Sequence, residues 1–290
     1  MHFHFDFRAA QILWTLTFAA VLVLLVVLFG RERARRFPWF TASIVLLALR
    51  LLSNRLLSNR LPPIPWNWMY LSTADMAAIL DLLVLIEVAR RAFSGASRRS
   101  WWLATAGAVA IGAAVVAVWG PWPAWKTLTA GTIMATLRLL QMVAQKGDML
   151  AAIVAVELGL LVVSLGWRFK AGWRTHTQRI AIGLSAAALS LLTTLAVREA
   201  IASHTLIHSR AQFERVTALQ GRIYNSNSAV YALVLVWWIA CLWIDEPGET
   251  GVRGQQIGNR ESSLSKNPAV AHKAPRRGLE LRLIGGHRYW

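Results

Sequence analysis

Apolar residues in this chain come in blocks of about twenty, the length an α-helix needs to cross roughly 30 Å of hydrocarbon. Seven such blocks lie at residues 9–29, 38–57, 70–90, 101–119, 149–167, 180–201 and 224–243. Backbone amides find no water in lipid, so only helices or a closed barrel can span a bilayer, and blocks this long exclude the barrel. The pattern predicts an all-α integral membrane protein with seven transmembrane helices. The first block has no basic region before it and is followed by GRERARRF, without a small-residue cleavage site. It therefore reads as an anchor that is retained.

Two stretches fall outside the blocks. Residues 125–146 (WKTLTAGTIMATLRLLQMVAQK) have helical composition with a mild apolar face. They form either a helix on the outer surface or an extension of the fifth block. Residues 246–290 hold glycine, serine, proline and eight basic residues without periodicity, which reads as a disordered basic tail. The chain thus divides into a membrane domain, 1–245, and a tail, 246–290.

Charge orients the helices. Of the 290 residues 16% are charged, where a soluble domain carries roughly a quarter, and the formal net charge is +17. Arg31, Arg33, Arg35 and Arg36 follow the first block, Arg90, Arg91, Arg98 and Arg99 the third, and Arg168, Lys170, Arg174 and Arg179 the fifth. The positive-inside rule puts these loops and the tail in the cytoplasm and the N-terminus outside. The basic charge then faces anionic lipid headgroups or a partner protein, with no need for nucleic acid. Trp66, Trp68, Trp122 and Trp125 would mark the outer interface, Trp39, Trp101 and Trp173 the inner one.

Residues 49–65, LRLLSNRLLSNRLPPIP, repeat a five-residue unit that brings Arg50, Arg55 and Arg60 at a period of five. Five residues turn a helix by about 140°, so the three arginines spiral and form no common face. Arg55 and Arg60 reach the outer headgroups, and the proline pair ends the helix. Arg50 is different, because it falls near mid-membrane.

A charge at that depth costs at least about 2.5–3.5 kcal/mol and needs a partner, a wet cavity or a function. Three residues qualify: Arg50, Asp81 in the third block and Glu157 in the fifth. Arg50 and Asp81 fall at similar heights on helices joined by a short loop, which predicts an ion pair. That pair either sets helix register or lines a polar cavity with Glu157. Other charges have simpler places. Ser72 to Asp75 have the spacing of a capping box at the start of the third helix. Glu87 precedes Arg90 and Arg91 at ion-pair spacing, and Arg198 and Glu199 lie at the outer end of the sixth block. The alanine and glycine stripes Ala104, Ala108, Gly112 and Ala151, Ala155, Gly159 read as helix-packing faces.

Asp75, Glu199, Asn225 and Asn227 are candidates for an outer pocket; the run from Tyr224 to Ser228 reads first as a helix cap. His204 and His208 stand four apart, a spacing that zinc or copper sites use, but two histidines alone make a weak site and solvated loop histidines explain them more simply. No cofactor is implied. The lone Cys241 allows no disulfide framework, and no glycine-rich phosphate loop, G-x-S-x-G or Cys–His cluster is present.

Seven helices with the N-terminus outside resemble rhodopsins and the seven-helix receptors, a resemblance of topology over residues 9–245. The last block, IYNSNSAVYALVLVWWIACLWID, has no lysine for a retinal Schiff base. Asn227 and Tyr231 share the spacing of the receptors' N-P-x-x-Y motif without its proline and at the other end of the span, and D-R-Y is absent. No functional residue carries over. The sequence reads as a bacterial inner-membrane protein, not an enzyme, with a sensor or receptor-like role foremost. The alternatives are a small transporter or proton-coupled permease using Arg50, Asp81 and Glu157, and a structural or assembly factor.

Overall fold

A computed structural model describes residues 9–58, 60–93, 98–119, 122, 131–165, 175–204 and 209–245, and the regular structure among them is entirely helical. Among the described residues eight helices follow one another: α1 (Ala9–Gly30), α2 (Arg33–Arg36), α3 (Pro38–Leu57), α4 (Pro63–Ala92), α5 (Arg98–Val118), α6 (Ile133–Leu165), α7 (His176–His204) and α8 (Arg210–Trp243). The seven apolar blocks fall largely on the seven long helices. Five of these, α1, α3, α6, α7 and α8, are long and apolar enough to cross a membrane, and α5 carries a shorter apolar stretch, Thr105–Val118. α4 mixes its apolar residues with Asp75, Asp81 and Glu87. The outward surface is rich in large apolar side chains such as Val26, Phe29, Leu103, Leu160 and Leu233, each at least 60% exposed. Lipid is the environment that such a surface suits.

Local chemistry sets the helix limits, and it moves three sequence-based boundaries. α4 starts at Pro63 rather than near Tyr70, since proline at the first helical position needs no amide partner. Ser72 to Asp75 therefore lie inside the helix and cap nothing; Thr73 Oγ1 donates to the Tyr70 carbonyl at 2.9 Å. α8 starts at Arg210, where the Ser209 hydroxyl accepts the Gln212 amide at 3.2 Å. Tyr224 to Ser228 are thus mid-helix and not a cap. α6 starts at Ile133 behind Thr132, whose hydroxyl accepts the Ala135 amide at 3.2 Å. It then runs unbroken through Lys146-Gly147-Asp148, so residues 133–146 extend the fifth block, while 123–130 lie outside the described residues. Gly147 is no break because it packs on α4: a Cβ there would meet that of Ala78 at 3.0 Å.

The packing order is a closed ring, α1–α3–α4–α6–α7–α8 and back to α1, with α5 outside it against α6 and α4. The small residues do what small residues at helix crossings do. Gly112 of α5 faces Leu150 and Val154, and Gly159 of α6 faces Ser185 of α7, whose hydroxyl donates to the Ala155 carbonyl at 2.7 Å. At the end bearing the basic loops, Glu87 reaches from α4 to the first turn of α3. One of its oxygens accepts the Trp39 and Phe40 amides, both at 3.2 Å. Arg91 lies 3.5 Å from the other oxygen, donates to the Arg36 carbonyl and sits over the Phe37 ring at 4.8 Å.

Candidate functional site

Inside the ring lies a cavity of about 240 Å³ walled by α3, α4, α6, α7 and α8. Its room comes from short side chains, among them Ala77, Ala151, Ala155, Ala187 and Ala188. Its chemistry comes from Arg50, Asp81, Asp148, Asn227 and Tyr231, carried by four different helices. A cavity that gathers five such groups at this depth is polar by construction rather than a packing defect.

Helical rise gives the depth of each group from the basic end. Counting from Pro38, Ala92, Trp243 and Leu165 at 1.5 Å per residue, Ser43 stands about 8 Å in, Asp81, Arg50 and Tyr231 about 16–18 Å, and Asp148 about 25 Å. The floor towards the basic end is aromatic. Phe40 and Trp238, 1% and 2% exposed, meet edge to face with centroids 5.0 Å apart. The edge of the Trp238 indole rests on Gly183.

Short hydroxyls orient the polar groups. The Ser43 hydroxyl donates to Asp81 Oδ1 at 2.9 Å, and that of Ser190 to Asn227 Oδ1 at 2.8 Å. The Arg50 guanidinium extends over the Tyr70 ring, 5.9 Å from its centroid. Asp148 lies within electrostatic reach of Asp81, Asp75 and Arg50, and Tyr231 within reach of Asp81 and Arg50. Asp75 lies within reach of Asp148 and has one buried carboxylate oxygen without a hydrogen-bond partner among the described residues.

The sequence-derived candidates separate accordingly. Arg50, Asp81 and Asn227 line the cavity. Arg50 and Asp81 stand at matching heights but form no direct ion pair; the Asp81 carboxylate bonds Ser43 instead. Glu157 is half-buried and does not line the cavity. It follows Asp148 by nine residues, which turns it about 180° to the opposite face of α6. Glu199 is exposed near the end of α7, and Asn225 is half-buried away from the cavity. His204 is exposed, and His208 lies outside the described residues. Among the described residues no group of three His, Cys, Asp or Glu could hold a metal ion.

Asp148 is the residue that reading the blocks missed, because Lys146-Gly147-Asp148 looks like a break before the fifth block. A signal was present. Asp148 precedes Ala151 and Ala155 at three- and seven-residue spacing, so it heads the small-residue stripe already visible in α6. Of the arginines at a period of five, Arg50 faces the cavity, while Arg55 is exposed and lies over the Trp14 ring at 5.7 Å. The chain matches no known protein-family model, no curated protein and no solved structure.

Proposed function

We propose that this protein is a receptor-like membrane module that takes a small solute into its ring of helices and catalyses no reaction. The observation that carries the proposal is the cavity itself: three ionisable side chains, an amide and a phenol converge on one space deep in the bundle. Intramembrane charges are expensive, and such groups serve binding or transport more readily than packing. The aromatic floor favours a receptor over a permease, since Phe40 and Trp238 leave a pocket with a closed end.

In this reading all seven long helices cross a bacterial inner membrane, with the N-terminus outside and the arginine-rich loops inside against anionic headgroups. The cavity then faces outward, its charged groups in the outer half and its floor towards the cytoplasm. Residues 246–290 form a basic cytoplasmic tail, and any output passes through a partner protein.

Thiol labelling tests the reading. Asp148→Cys in a Cys241→Ser background is expected to react with an impermeant reagent from the outer side of oriented membranes and not from the cytoplasmic side. Reaction from both sides would replace the receptor with a permease. Reaction from neither, while a cysteine in an outer loop reacts, would leave the charges a structural role.

A further inference from the structure

We infer that the solute taken by this cavity is a small organic cation, an alkylammonium with a short hydrocarbon body; the inference rests on the cavity being a binding site. Charge makes the first argument. Asp81 and Asp148 line the cavity with Arg50, and Asp75 lies within electrostatic reach of Asp148, so carboxylates outnumber the guanidinium among the described residues here. Burial penalises carboxylates that lack a positive partner, and a bound cation would compensate them. An anionic solute would add to the excess, and a zwitterion would leave it unchanged.

Donor chemistry makes the second. Ser43 occupies Asp81 Oδ1, which leaves Oδ2 for an ammonium N–H. The Tyr231 hydroxyl lies deep in the bundle, lines the same space and makes no hydrogen bond among the described residues. It offers an acceptor oxygen beside an aromatic face, two features that suit an ammonium group. An inorganic divalent ion fits less well, since no group of three metal-binding side chains is assembled among the described residues.

Shape makes the third. The polar groups occupy the mid and outer levels, whereas the floor at Phe40 and Trp238 is hydrocarbon and aromatic. An ammonium head between Asp81 and Asp148 would lay its carbon chain on that floor. At about 240 Å³ the space falls just below the ~300 Å³ at which ligand pockets commonly begin, so the body must be short.

The test uses the purified full-length protein and four probes of similar size: 1-butylamine, 1,4-diaminobutane, 1-butanol and butanoate. Binding is read by calorimetry and by the shift of the unfolding temperature. The amines are expected to bind saturably and raise the unfolding temperature, and the alcohol and the carboxylate to do neither. Asp81→Asn should weaken amine binding about tenfold, the loss of one charge-assisted contact. Asp148→Asn, on another helix, serves as the second variant should the first fold poorly. Binding of butanol or butanoate in preference to the amines would overturn the cation while keeping the binding site. Failure of all four probes would overturn the inference, and the labelling of position 148 then decides separately whether the cavity is reached at all. Amine binding unchanged in both aspartate variants would also overturn it.

Discussion

Glu87→Ala is expected to lower stability by about 1.5–3 kcal/mol, the range for losing hydrogen bonds to a charged group. The residue is 8% exposed and does three things at once. Its carboxylate satisfies the amides of Trp39 and Phe40, two of the four N–H groups that the start of any helix leaves without a partner. It also places negative charge at the positive end of the α3 dipole. Finally, it accompanies Arg91, whose other contacts among the described residues are the Arg36 carbonyl and the Phe37 ring. Glu87→Gln keeps an acceptor for the amides and loses the charge, so its loss should be smaller, about 1–2 kcal/mol. Reversible unfolding of the purified protein in mixed micelles reads both values. Equal losses for the two variants would show that the amide contacts contribute little.

Gly183→Ala is the second large effect, expected at about 1–3 kcal/mol of destabilisation. A Cβ at position 183 would overlap Trp238 Nε1 and lie 2.7 Å from Cε2. The indole is rigid, buried and backed by Phe40 on the cavity side, so it has no low-energy escape. Either α7 moves away from α8 or the floor tilts into the cavity. The same substitution elsewhere should do the opposite. Gly107 and Gly221 are helical glycines with no atom within 4 Å of the added carbon, and alanine there should stabilise by up to about 1 kcal/mol through helix propensity. A destabilised Gly183→Ala beside neutral or stabilised Gly107→Ala and Gly221→Ala would assign the loss to the floor. Three equal results would not.

Fold class was legible because the rule behind it is crude and strong. A block of twenty apolar residues carries more signal than any single residue can erase, and all seven blocks found a long helix. Helix starts were less legible, and for one reason. Apolar blocks report where lipid or core begins, whereas helices begin where a cap or a proline permits. Pro63, Thr132 and Ser209 set starts that precede the blocks by 7, 16 and 14 residues. That error hid Asp148. Read as a loop residue it is an ordinary solvated aspartate; read on α6 it is a third cavity charge.

Arg50 and Asp81 were legible as residues, since charge inside an apolar block stands out. Their relation was not. Height along a helix follows from counting, but azimuth depends on how the neighbours are rotated. Asp81 Oδ1 accepts from Ser43, and the Arg50 guanidinium extends over the Tyr70 ring. Glu157 shows the same limit from the other side: its depth was readable, but which face of α6 meets the cavity depends on how the neighbouring helices are rotated. The ring order and the meeting of Phe40 with Trp238 have no local signature, because they join residues almost 200 apart in the chain.

The central claim is that the cavity is a pocket sealed at its basic end by Phe40 and Trp238. Ala77→Cys in a Cys241→Ser background, labelled from each side of oriented membranes with and without Phe40→Ala, tests it most directly. With Phe40 in place, the cavity-lining cysteine should react from the side opposite the basic loops and from that side only. With Phe40→Ala, reaction should appear from the basic side as well. Labelling from the basic side while Phe40 is intact would contradict the sealed pocket and with it the receptor-like reading.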